Sequence, residues 1–434
     1  MILVSCLVYG IGYYHRNCTG VLLTEMASSL HVTESKLGIL STMFFWSYAI
    51  VQPFIGSLSD IFESSYIVSI ALVSSSIFTF LCGISRSYYL TCLSRFFVGI
   101  SCGSMYVPIC RSMAQWFSPT VFPYVQSFIV AFGGLGGVLA QGPIGSAKGS
   151  TNWPIVFYIG SGISLFLSIP SFFLLKDPKD KKKTKISAKY AFSKLIRNVK
   201  LSTSFKDFWL LAIWKFLTPS TYSNVSSTWG KSYLLHGLGY NKKKASYYIS
   251  ITSLSWTVGA PFLALVSNWL HTRKWCLFVC TIIAFGSTIY FSILDHTPSD
   301  ATIISTLFIY ALTSGASLTI AAITFKEMLS KEHVGTLMGC GNFFMLVGTS
   351  IEQTLTAFFV NKYEQNTGAI PLIAYRLGLW TTSSISIGLS LILLLLLHDT
   401  YYKAINEVEL IDNTIQNTAP LIQENEKRYD INTN

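Results

Sequence analysis

Charge is what this sequence has least of. Asp, Glu, Lys and Arg make up 12% of the 434 residues, about half the ~25% of an ordinary soluble domain. Half of the residues are hydrophobic and 15% are aromatic. The chain therefore reads as an all-α polytopic membrane protein with the lipid bilayer as its surroundings. Base exceeds acid, 31 residues against 20, but the surplus sits in loops and does not describe a nucleic-acid face. There is no nucleotide-binding loop, no metal-ligand spacing in the loops, and no extramembrane stretch large enough for a soluble active site. The expectation is a non-enzyme without cofactor or metal. The nine cysteines fall inside apolar runs, where Cys packs as a small residue. Cys276 and Cys280 share a helical face but lack a third ligand.

What charge there is concentrates between residues 176 and 206. This stretch holds eleven of the Lys and Arg residues against Asp177 and Asp180, giving it +9 of the chain's +11. A run such as Lys179-Asp180-Lys181-Lys182-Lys183 cannot enter hydrocarbon, where each charge costs at least about 3 kcal/mol. It is either a solvated spacer or a surface segment. For the second reading, Phe192, Leu195, Ile196 and Val199 fall at helical spacing among Lys189, Lys194, Arg197 and Lys200, which suits anionic headgroups.

Apolar runs of about 20 residues, the length that crosses a bilayer as helix, define the rest. The first begins at Met1, with no basic flank and with His15-Arg16-Asn17 inside it, so it reads as a span and not a cleaved signal peptide. That start leaves room for a segment upstream. Further runs centre near 47, 75, 99, 134 and 164, then near 219, 257, 285, 312, 347 and 386. The expected division is a six-helix bundle over 1–175, a basic linker over 176–206, a second bundle over 207–398 and a polar tail over 399–434. Loops on the linker side carry nineteen Lys or Arg against nine opposite, so the linker and both termini are expected in the cytoplasm. Lys242-Lys243-Lys244 dissents locally. The tail is Asn- and Glu-rich, and its Pro420-Leu421-Ile422 hints at a sorting signal without the usual upstream acid.

The two sixes show an internal repeat. An offset of 208 carries Asp60 onto Asn268 and Leu30-His31-Val32 onto Leu238-Gly239-Tyr240, so the first two spans of each half align without gaps. Looser offsets of 212 and 211 carry Gly103 onto Gly315, Gly137 onto Gly348 and Gln141 onto Glu352.

At this point the chain resembles the major facilitator superfamily over nearly its whole length. Gly56 and Asp60 match the family's Gly-x-x-x-Asp after span two, although Ile61 and Glu63-Ser64-Ser65 replace the basic residues that follow. Arg95, Gly99 and Gly103 resemble the Arg-x-x-x-Gly segment of span four. Gly133-Gly134-Leu135-Gly136-Gly137 and Gly142-Pro143-Ile144-Gly145 look like the Gly-Pro element of span five, one residue short. The resemblance implies twelve helices in two pseudo-symmetric bundles and a solute site at the midplane, with spans one and seven contributing. The span-five glycines allow close packing or sliding against a neighbour. Asp60 either caps a helix or pairs with Arg111, as a contact that closes one side, with Gly56 beside it.

Intramembrane charges are expensive and must face a cavity or a partner. Arg16, beside Tyr13, Tyr14 and His15, aligns at offset 208 with Asn224, near Tyr222. Its guanidinium fork suits a carboxylate or phosphate of a solute, or it neutralises Glu25 or Glu352. Lys215 is a second anion contact or reaches toward the interface. Arg95 serves coupling or packing. Glu352, with Glu25 as substitute, either carries a coupling proton or is a permanently neutral, hydrogen-bonded acid. The leading reading is a monomeric secondary transporter of a small polar solute (an organic anion, amino acid or short peptide), with a proton as the candidate coupling ion. The alternative is a non-transporting sensor or accessory protein on the same fold.

Overall fold

The computed structural model describes residues 1–117, 122–144, 153–177, 193, 196, 199–200, 204–328, 334–367 and 370–401. The polar tail with its Leu-Ile motif, and most of the basic linker, lie outside these residues. The structure forms twelve spans. Span one is Ile2–Val21 continued by Leu23–Leu30, and spans two and three are Glu34–Ile61 and Ser64–Ile84. Span four is Tyr88–Gly103 with Tyr106–Trp116, span five Phe122–Leu139 with a π-helical turn at Ala140–Ile144, and span six Trp153–Leu174. In the second half, span seven starts with Lys206–Leu217 and Pro219–Asn224 and ends through two π-helical stretches, Val225–Trp229 and Tyr233–Gly237. Spans eight and nine are Lys242–Trp269 and Lys274–Ile293, and span ten joins Asp300–Tyr310 to Leu318–Met328 through Ala311–Ala316. Span eleven is Val334–Thr367, and span twelve runs through Leu372–Tyr375, Arg376–Thr381 and Thr382–Leu396.

Among the described residues, nine helices are both long and apolar enough to cross a membrane. The spans missing from that set are one, five and seven. Span five is apolar but shorter, over Phe128–Pro143. Spans one and seven fall short because they bury polar groups, from His15 to Thr19 in one and from Thr218 to Ser232 in the other. Lipid-facing sides are apolar, as with Phe166, Ile169 and Phe173 on span six. The helices satisfy their own backbones, which is why helix is the form available in lipid.

The repeat is visible in the backbone. Spans two and eight have the same length, and their ends are related by the offset of 208. Each has a proline at the equivalent place, Pro53 and Pro261. Just before them, His31 at φ 54° and Gly239 at φ 72° take the same left-handed turn. Glycine adopts that conformation freely, whereas His31 holds it at a cost. Span two packs along span eleven, span five along span eight, and span one against span seven. These contacts join the two halves, and the candidate site lies among them.

Candidate functional site

Arg16 is 8% exposed at the middle of span one. Its Nη2 donates to Ser223 Oγ of span seven at 2.5 Å, and its guanidinium carbon lies 5.2 Å from the Tyr13 ring and 5.0 Å from the Phe45 ring. Among the described residues no carboxylate pairs with it. Glu25 instead meets Lys242 at 2.6 Å and Lys231 at 3.8 Å, while Glu352 accepts a hydrogen bond from Ser386 at 2.6 Å. The two acids that would have neutralised Arg16 are thus engaged elsewhere.

Two adjoining cavities meet at this residue. One, small, is bounded by Tyr9, Tyr13, Arg16, Tyr48 and Met105 of the first half. The other, also small, is bounded by Tyr13, Arg16, Tyr222, Ser223, Trp256 and Met345, mainly from the second half. Arg16 and Tyr13 line both. Tyr13 stacks on Trp256 across the halves, with centroids 4.9 Å apart and planes 20° from parallel. Glycines make room for the flanking tyrosines: a Cβ on Gly103 would come within 2.8 Å of the Tyr48 ring, and one on Gly315 within 2.8 Å of the Tyr222 ring. One cation inside an aromatic wall is a place for an anionic head and a small body.

The other expected site residues divide by helix face. Tyr222 joins Arg16 and Tyr13 at the cavities. Tyr14 turns away and donates to the Val156 carbonyl at 2.7 Å. His15 bonds Ser164 at 2.8 Å within the first half, and its backbone carbonyl accepts from Arg95 at 2.9 Å. Asn224 donates to Thr356 at 3.0 Å. Lys215, buried, donates to Asn342 at 2.7 Å and lies 5.3 Å from the Phe325 ring centroid. Residues such as Tyr14 and Asn224 back the site but do not line it. The side chains of Gly56 and Asp60 lie outside the described residues. Arg111 is 3.5 Å from Asp177 at the start of the linker. Asn268, the repeat mate of Asp60, accepts from Arg273 at 2.6 Å, and Arg273 also forks onto Glu327.

On the side away from the linker, span seven is clamped by the first half. Gln141 donates to the Ser226 carbonyl at 2.5 Å and accepts from Ser253 at 2.6 Å. Gln353 accepts from Thr42 at 3.4 Å, and its carbonyl accepts from Trp229 at 3.2 Å. Lys231 donates to the Val21 carbonyl and faces Glu25. From sequence, Lys231 counts as a loop residue, yet it is 3% exposed inside the extension of span seven. The signal available for it was the unpaired Glu25 in the opposing repeat unit. Ser223, Trp256 and Gln353 carried none, since polar and aromatic residues recur throughout these spans. The triple-lysine dissent also resolves: Lys242 pairs with Glu25 and Lys244 with Asp300 at 2.6 Å. Two of the three charges are thus locally balanced.

Comparison with known proteins agrees with this architecture. The family model of the major facilitator superfamily matches residues 5–352. A probable sulfoacetate transporter of Cupriavidus necator is 24% identical over 280 residues, 62% of this chain and 65% of that protein, just under two thirds of its length. A hexuronate transporter of Bacillus subtilis is 22% identical over 375 residues, 83% of this chain and 88% of that protein. Among solved structures, a bacterial homologue of the human lysosomal transporter Spinster, inward-facing and unoccupied, superposes with a TM-score of 0.71. It has 16% identity and covers 93% of this chain and 96% of that one. A D-xylose–proton symporter superposes at 0.68, with 11% identity and 91% and 96% coverage. With the matched region spanning most of its length and the twelve-span fold in place, the chain belongs to the major facilitator superfamily and is a multi-pass integral membrane protein.

Proposed function

We propose that this protein carries a small organic anion across its membrane by alternating access around Arg16. The observation that carries this reading is a buried guanidinium that lines both cavities and, among the described residues, meets no carboxylate. A charge so placed is costly unless an acid joins it. The names of two relatives, for sulfoacetate and hexuronate, both denote acids, which supports the same class. The aromatic walls limit the body of the solute, and the fork of Arg16 takes its carboxylate or sulfonate. Halves spanning 1–175 and 207–398 move against each other, tethered by the cytoplasmic 176–206 linker. With both termini cytoplasmic by loop charge, the clamp at Glu25, Lys231 and Gln141 closes the opposite side. Glu352, with Ser386 beside it, is the acid that carries a coupling proton, and a single chain suffices.

The test is a thermal-stability screen of purified protein against sugar acids, sulfonates, amino acids and neutral sugars, followed by flux in proteoliposomes. Stabilisation and flux with acids only is the expected result. Response to neutral sugars alone would overturn the anionic class. Stabilisation without flux would favour a sensor, the reading to which the replaced residues Ile61 and Glu63-Ser64-Ser65 also point.

A further inference from the structure

A second buried guanidinium, well inside the first half, has no role in this scheme. Arg95 of span four is 1% exposed. Its Nη2 donates to the His15 carbonyl at 2.9 Å, and its guanidinium carbon lies 4.8 Å from the Phe44 ring centroid. Its Nε and Nη1 are buried and meet no acceptor among the described residues, and no carboxylate pairs with it there. It lines neither of the two cavities at Arg16.

The surroundings offer donors and no negative charge. The thiol of Cys18 on span one donates to the His15 carbonyl at 3.5 Å, and the thiols of Cys82 and Cys102 on spans three and four are buried. The buried hydroxyls of Thr19 and Ser94, adjacent in sequence to Cys18 and Arg95, and of Thr79, about one turn before Cys82, have no hydrogen-bond partner among the described residues. His15 adds no charge in this arrangement. Ser164 donates its hydroxyl hydrogen to the Gly160 carbonyl at 2.9 Å, so toward His15 Nε2 it accepts. A neutral ring with Nε2 as donor satisfies that contact. The net charge of the pocket is therefore that of Arg95 alone. Two open guanidinium donors and idle hydroxyls in a low-dielectric bundle are an incomplete set, because buried donors and charges are normally paired.

We propose that Arg95 binds one small inorganic anion, with chloride as the representative, between spans one, three and four. A monovalent anion cancels the single charge and takes the idle guanidinium donors. Spans one, three and four belong to one half, so the ion stays in place as the halves move. It is a resident ion that fixes the backbone of span one at His15, directly before Arg16, and not cargo. The inference is independent of the solute carried at Arg16.

The experiment follows thermal unfolding of the purified full chain while chloride replaces sulfate, which lacks the organic body of the proposed solutes, at constant ionic strength. Wild type and Arg16→Gln should both show a saturable rise of roughly 2 °C or more, and Arg95→Gln none. No chloride effect in wild type would overturn the proposal. So would an effect lost in Arg16→Gln but kept in Arg95→Gln, which would place the ion in the transport cavity. Should Arg95→Gln fail to fold, wild-type crystals grown in bromide decide instead. An anomalous peak at the Arg95 guanidinium supports the site, and density for water alone removes it.

Discussion

Gln141 of span five and Gln353 of span eleven, 212 residues apart, perform the same task from opposite halves. Gln141 reaches across to Ser226 and Ser253, and Gln353 to Thr42 while its carbonyl holds Trp229. Each half thus supplies one buried glutamine to the seam beside span seven. The looser repeat offset of 211 had matched Gln141 with Glu352; in the structure the function falls one residue later. Glu352 is left facing Ser386 within its own half, one residue before the glutamine that serves the seam.

If Arg16 grips the solute's acid, Arg16→Lys should weaken affinity at least tenfold, about 1.4 kcal/mol, because an ammonium cannot reproduce the fork. Yield should hold, since the charge is kept. Affinity is read by thermal shift with the acid found in the screen. Near-normal affinity would end the direct-contact reading.

Glu352→Gln should abolish uptake driven by a pH gradient while solute exchange across equal pH continues. Proteoliposomes with and without a gradient measure both. Unchanged gradient dependence would remove Glu352 from coupling.

Two glycines separate packing from movement. A Cβ on Gly136 would sit 2.0 Å from the Gly10 carbonyl oxygen, within the first half, and one on Gly20 would sit 2.0 Å from the Ser227 carbonyl oxygen, across the seam. Gly136→Ala should therefore lower stability in every state by about 1–3 kcal/mol. Gly20→Ala clashes only when the seam is closed, so it should spare yield and favour the state open on the Glu25 side. Thermal midpoints and hydrogen exchange along span seven distinguish the two.

Glu25→Gln leaves Lys231 and Lys242 facing each other without the carboxylate that joins them. It should loosen the same side. A cysteine introduced at Ser223 should then react several-fold faster with an impermeant thiol reagent than it does with Glu25 intact. Equal rates would mean the ion cluster does not hold the seam.

Orientation is checked separately with a cysteine at position 183. In intact cells it should be labelled only after permeabilisation, and labelling without it would reverse the assignment of sides.

The sequence by itself determined the number of spans, because backbone in lipid must be helical and apolar runs of that length have few other uses. It also determined the repeat over the first two spans of each half through the gap-free offset of 208, while the shared left-handed turns at His31 and Gly239 came from the structure. It placed Arg16 inside span one, since position along a helix follows from counting residues. Only the tertiary structure decided which neighbours of Arg16 share its cavity. At about 100° per residue, Tyr13 and Tyr14 point to different faces, and lipid is as apolar as a partner helix, so pattern alone does not tell those faces apart. The partners of Glu25, the burial of Lys231 and the idle donors of Arg95 belong to the same class. Each depends on residues far apart in the chain, brought within a few ångströms by how the twelve helices pack.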